Sequence, residues 1–202
     1  MTLRIGSMFS GSGILDHAVE QATGGTVAWH CETDPAASAV LAARWPDVPN
    51  LGDVRRINWS RVRWGIGSID LLVGGFPCTD ISNAGTRTGL RPGTQSGLWS
   101  EMVRAIETLR PPQVLIENVR ALLTTPANKA PIISTCHAGL DLHEPGGVVG
   151  TDAKVVDSAL GAILGDLADL GYDAEWEALS ASGAGAPHRR QRVFIVAHTS
   201  FL

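Results

Sequence analysis

The chain has 202 residues, is 44% hydrophobic and 18% charged, and carries a formal net charge of −4. That composition is globular, with length for one domain and a sizeable core, and the net charge runs against the basic footprint usual in a nucleic-acid binder, although charge can be local. No apolar run approaches the roughly 20 residues of a membrane span, and Met1–Ile5 is neither signal peptide nor anchor, so no membrane partner is expected. The three cysteines, Cys31, Cys78 and Cys136, have neither paired nor metal-ligand spacing. No disulfide framework and no metal site are therefore expected, and a reducing, cytoplasmic compartment is the natural home.

In chain order, residues 3–9 read as a strand, followed by a Ser/Gly turn. Residues 13–22 read as a helix with Ile14, Leu15, Ala18, Val19 and Ala22 on one face. Residues 25–31 form a second strand. Asp34-Pro35 starts a helix running to Trp45, with the acid as N-cap and proline in the first turn. The arginines at 55, 56, 61 and 63 read as a solvated basic stretch. A buried strand at 69–73 leads through a polar loop at 79–96 to a helix over about 97–110, stopped by Pro111-Pro112. A short strand at 113–117 and an irregular segment at 124–153 follow. An amphipathic helix then runs from Val155 to Gly171, and strands at 172–179 and 192–198 close the chain. Strands alternating with helices predict an α/β fold with a mostly parallel sheet and helices on both faces. One domain spanning 1–202 is expected, with no separate recognition domain.

Chemistry concentrates at the predicted strand ends, where open α/β sheets bind ligands. Phe9-Ser10-Gly11-Ser12-Gly13 turns from the first strand into the first helix, and its glycines permit close approach of a ligand. Glu32 lies about 20 residues on, at the spacing of an acid that takes ribose hydroxyls, and Asp53 is a third candidate contact to an adenosine moiety. No phosphate-binding P-loop is present, which favours a nucleoside cofactor without phosphate. Gly74-Gly75-Phe76-Pro77-Cys78 follows the strand at 69–73, and Pro77 stiffens the backbone that presents the thiol. Glu117-Asn118 ends another strand, where a carboxylate is costly unless paired or functional. Arg190 and Arg192, two apart on extended chain, point the same way and suit an anion or a carbonyl-rich base edge.

With these motifs in this order, residues 4–198 resemble the DNA (cytosine-5) methyltransferase family. The resemblance implies a Rossmann-like, S-adenosylmethionine-dependent methyltransferase fold. It implies cofactor contacts at Phe9, Ser10, Gly11, Gly13, Glu32, Thr33, Asp53, Val54, Pro77 and Leu98. It further implies Cys78 as nucleophile, Glu117 as acid, Arg190 and Arg192 on the base, and Ser82, Arg87 and Asn118 toward double-stranded DNA. Thr79 and His188 replace glutamines usual in the family, and no recognition domain follows the strand at 192–198. Three readings stay open. The chain is a compact methyltransferase, the catalytic half of a split enzyme whose second chain supplies target recognition, or a cofactor- or DNA-binding module without turnover. An RNA substrate fits the same chemistry.

Overall fold

The computed structural model describes residues 2–77, 98–125 and 158–199. Cys78, Ser82, Arg87, Cys136, the 79–96 loop and residues 126–157 lie outside the described residues. One six-stranded sheet is present: β1 (Arg4–Met8), β2 (Thr26–Cys31), β3 (Leu71–Gly74), β4 (Gln113–Val119), β5 (Tyr172–Ser180) and β6 (Gln191–Thr199). Its order is β2-β1-β3-β4-β6-β5. The pairs β1–β2, β1–β3 and β3–β4 are parallel, while β6 is antiparallel to both β4 and β5. Five strands thus run one way and β6 alone runs against them. The predicted mostly parallel sheet stands, with one reversed strand that the sequence reading did not distinguish.

The described residues form five α-helices: α1 (Ile14–Thr23), α2 (Pro35–Arg44), α3 (Trp59–Gly65), α4 (Trp99–Leu109) and α5 (Ala159–Asp169). On one face, Ile5, Val27, Leu71 and Val73 pack with Val19 of α1. On the other, Met8, Leu72, Val114 and Ile116 meet Trp59 of α3, Trp99, Met102 and Ile106 of α4, and Leu160, Ile163 and Leu167 of α5. Side chains two apart on a strand normally share a face. Val27 and Trp29 nevertheless belong to opposite faces, because Ile5 pairs with Val27 and Gly6 with Trp29, leaving Ala28 as a bulge. That slip lets Trp29 bury fully and pack at 5.4 Å against Trp59, a contact of about 1 kcal/mol beyond area burial.

The cap of α2 forms as the sequence predicts: Asp34 accepts a hydrogen bond from the Ala37 N–H at 2.8 Å, and Pro35 opens the helix. The basic stretch is not featureless. It holds a 3-10 turn at Val54–Arg56 and α3, whose Trp59 and Val62 face inward while Arg61 and Arg63 stay exposed. From β1 the chain steps to β2 on one side, then crosses back to β3 on the other. The crevice beyond the carboxyl ends of β1 and β3 is therefore the topological switch point, where doubly wound sheets take their ligands.

Candidate active site

The turn after β1 is built under strain and braced from below. Phe9 has φ 58°, a left-handed conformation rare for an aromatic residue. Such an outlier costs about 1–3 kcal/mol and persists where surrounding structure enforces it, often at a functional site. Gly13 caps α1 with φ 76°, and a β-carbon there would lie 2.5 Å from the Trp45 ring. Beneath the turn, Ser7 Oγ donates to Asp16 Oδ1 at 2.7 Å and lies 2.7 Å from Ser10 Oγ. Asp16 Oδ2 stands 3.2 Å from His30 Nδ1, an ion-pair distance without hydrogen-bond alignment, and both side chains are almost wholly buried. Composition and spacing gave no signal for this Ser7–Asp16–His30 cluster.

Glu32, at the end of β2, binds the turn directly. Its Oε2 accepts the Gly11 N–H at 2.7 Å, and its Oε1 accepts the N–H groups of Thr33 and Asp34, each at 2.8 Å. A cleft of about 350 Å³ opens above it, lined by Phe9, Cys31, Glu32, Thr33, Gly52, Asp53, Val54, Arg55, Gly75, Pro77 and Leu98. Seven of the predicted cofactor contacts, Phe9, Glu32, Thr33, Asp53, Val54, Pro77 and Leu98, meet here. Ser10, Gly11 and Gly13 form the turn at its edge and line the neighbouring cleft or cap α1. Arg55, not expected from the sequence, forks onto Asp53, with Nε to Oδ1 at 2.9 Å and Nη2 to Oδ2 at 2.7 Å. That hydrogen bond is the main reason the Asp53 carboxyl is held below the usual carboxylate range. Cys31 is buried at the floor of this region, 1% exposed. Burial, reinforced by the Glu32 carboxylate, pushes its thiol well above the ordinary range.

A second cleft of about 860 Å³ adjoins the first and shares Phe9 and Gly75 with it. Glu117, His188, Arg190 and Phe194 line its far side. Arg192 Nε reaches Glu117 Oε1 at 2.8 Å. The pair is diagonal across the β4–β6 ladder, since Arg192 opposes Val119 and Phe194 opposes Glu117. Both side chains remain partly exposed, so the pair contributes about 1 kcal/mol or less and can rearrange when a ligand arrives. Gly75 makes room for the carboxylate: a β-carbon there would lie 3.2 Å from Glu117 Oε2. Asn118 is 3% exposed; its Nδ2 donates to the Phe76 carbonyl at 3.1 Å and its Oδ1 accepts the Val119 N–H at 2.7 Å. The expectation that Asn118 faces DNA is therefore corrected. Its side chain is used inside the protein, holding the backbone just before Pro77. Phe76 in turn packs at 5.6 Å on Trp99, whose Nε1 donates to buried Asp166 at 2.7 Å.

The family model for C-5 cytosine-specific DNA methylases matches residues 3–135 and 147–201. The chain belongs to that family. It is similar to the Type II methyltransferase M2.BsuMI of Bacillus subtilis (strain 168), 31% identical over 199 residues, which cover 96% of this chain and 42% of the relative. The DNA N-6-adenine-methyltransferase of Escherichia phage P1 is 34% identical over 194 residues, covering 84% of this chain and 25% of that protein. The S. pombe Dnmt2 methyltransferase shares the fold, with a TM-score of 0.68 at 16% identity, over 100% of this chain and 51% of that one. The chain thus spans less than half the length of these sequence relatives.

Enzymes of this family take their methyl group from S-adenosylmethionine, and the first cleft fits that molecule. Glu32 offers carboxylate oxygens to a ribose diol, Asp53 an acceptor to an amino group, and Phe9, Val54, Pro77 and Leu98 supply apolar walls. Among the described residues, Arg55 is the one basic residue of the lining, and it is engaged by Asp53. The described lining therefore offers a phosphate no cluster of free cations, which suits a nucleoside without one.

Proposed function

We propose that the chain transfers the methyl group of S-adenosylmethionine to C5 of cytosine in double-stranded DNA through a covalent adduct at Cys78. The observation that carries this reading is a cleft that holds Glu117 and Arg190 and shares Phe9 and Gly75 with the cofactor cleft, with Arg192, outside that lining, paired to Glu117. A base seated beside Glu117 would lie next to a cofactor held by Glu32 and Asp53. Pro77 borders the same cofactor cleft, and Cys78 is the next residue in the chain.

The chemistry balances with these groups. A cytosine inside a duplex hides its reactive edge, so the base must first be flipped out. The Cys78 thiolate adds to C6, and the ring electrons move toward N3, where Glu117 supplies a proton or hydrogen bond. Arg190 and Arg192 bond O2 and favour the ionised thiol. C5, now nucleophilic, takes the methyl carbon, releasing S-adenosylhomocysteine. A base then removes the C5 proton, the C5–C6 double bond re-forms and the thiolate leaves.

Methylation of an adenine amino group, the activity named for the phage P1 relative, is less well served. An exocyclic amine attacks a methyl donor directly and needs no cysteine beside an acid and two arginines. Ser82 and Arg87 are assigned to the DNA side of the nucleophile loop. The chain acts as a single catalytic domain in the cytoplasm, in DNA modification of the restriction type, and in the split reading a second chain supplies target recognition. Incubation with DNA carrying 5-fluorocytosine and S-adenosylmethionine tests the core of this proposal. Fluorine at C5 blocks the elimination, so a covalent adduct that Cys78→Ser abolishes is the expected result. Turnover by Cys78→Ser would overturn the nucleophile assignment. A wild-type chain that forms no adduct even with a candidate second chain added would point to a binding module.

A further inference from the structure

One wall of the cofactor cleft is braced from a distant element as well as by its own neighbours. Asp53 and Val54 sit at the start of a single 3-10 turn, Val54–Arg56, between β2 and α3. The turn closes on itself through Arg56 N–H to the Asp53 carbonyl at 2.9 Å and, more weakly, Ile57 N–H to the Val54 carbonyl at 3.4 Å, and a turn this short has little intrinsic stability. Arg104 reaches it from α4. Its Nη2 donates to the Val54 carbonyl at 2.7 Å and its Nη1 to the Ile57 carbonyl at 2.9 Å. Glu101, one turn earlier, accepts from Nε at 2.9 Å and Nη2 at 2.6 Å, fixing the guanidinium plane. Arg104 is not itself in the cleft lining, whereas Leu98, at the start of the same helix, is.

We infer that Arg104 is a positioning residue that fixes the geometry of the cofactor cleft, by tying the Asp53–Val54 part of its lining to the helix capped by Leu98, another lining residue. One helix thereby holds both of these parts of the lining, so the cleft is pre-formed and the cofactor is not required to order the turn on binding. The guanidinium fork suits the task because it serves two carbonyls and one carboxylate in a single plane. Lysine carries its donors at a single point and cannot match that geometry. The inference rests on reading this cleft as the S-adenosylmethionine site.

Calorimetric titration with S-adenosylhomocysteine, followed by steady-state kinetics with varied S-adenosylmethionine, tests it. Arg104→Ala should weaken binding and raise the cofactor KM by about tenfold, the effect of leaving two carbonyls without their donor. The turnover number at saturating cofactor should change far less. Arg104→Lys should recover part of the loss. Arg63→Ala is the control: it also removes a side-chain bond to a backbone carbonyl, that of Thr108 on α4, but away from the cleft, and should leave cofactor affinity at the wild-type value. If Arg104→Ala loses thermal stability while binding as tightly as wild type, the residue is merely structural and the inference is overturned. Should Arg104→Ala fail to fold, wild-type affinity in Arg104→Lys overturns it equally. A wild-type chain that binds no S-adenosylhomocysteine removes the cofactor reading itself, and the inference with it.

Discussion

The two clefts share a wall, yet they are assembled from different kinds of neighbour. The cofactor cleft draws on the turns after β1, β2 and β3 and on the Val54–Arg56 turn; Gly11 joins the first to Glu32, while the Glu32–Asp34 and Arg55–Asp53 bonds brace their own turns. The base-side cleft depends on a long-range pairing. Glu117 lies near the end of β4 and Arg192 near the start of β6, and only the antiparallel ladder between them brings the two within 2.8 Å. A binding site for an invariant small molecule is served by a rigid pre-formed cradle. A site that must admit a flipped base is better served by a partly exposed ion pair that can exchange partners.

Substitutions can break or sharpen this contrast. Glu117→Gln should have the largest effect, lowering methyl transfer by roughly 100-fold as a general acid is lost, with cofactor affinity unchanged. A near-native rate in single-turnover assays would take Glu117 out of the mechanism. Asp16→Ala should act on the other half, removing the acceptor of Ser7 Oγ and the partner of His30. It should lower unfolding stability by about 2 kcal/mol. Denaturant titration measures this, and an unchanged midpoint would mean the turn does not depend on the cluster below it. Glu32→Gln keeps shape but loses the charged acceptor for Gly11, Thr33 and Asp34. A rise of about tenfold in cofactor KM is expected with little change in kcat, and an equal fall in kcat would blur the proposed division between the clefts.

The smallest effect concerns protonation. Asp53 has its folded-state pKa depressed, chiefly by the hydrogen bond from Arg55. The pair therefore contributes stability above the ordinary aspartate value of about 3.9, and that contribution is lost as pH falls through the lowered folded value. In Arg55→Ala the Asp53 carboxyl should titrate nearer its ordinary value, read by NMR. An unmoved midpoint would assign the depression to another source.

Much of the cofactor half was legible because its signals are local. Asp34-Pro35 marks a cap, Phe9–Gly13 marks a tight strand-to-helix turn, and the acids at 32 and 53 follow strand and turn at readable spacings. α3 escaped notice because seven residues offer only Trp59 and Val62 as an inward pair, too little periodicity to stand out among four arginines. Asn118 was misplaced because a polar residue beside a catalytic-type acid gives no sign of which way it faces. The strand alternation that buries it, with Ile116 on the same face, sends it inward to Phe76. The reversal of β6 had a weak signal in the short connection after β5, residues 181–190, since a parallel return needs a crossover of a dozen or more.

By itself, then, the sequence determined the strand–helix rhythm, the turns that carry ligand-binding groups and the residue types available for the chemistry. These follow from dihedral preference, hydrophobic period and spacing along one chain. Only the tertiary structure decided which distant groups meet: Arg192 with Glu117, Arg104 with the Val54 turn, Asp16 with His30, Asp166 with Trp99. The reason is physical. A partner across a sheet or between layers is selected by register, packing and the need to satisfy buried polar groups, and none of these leaves a fixed spacing in the sequence.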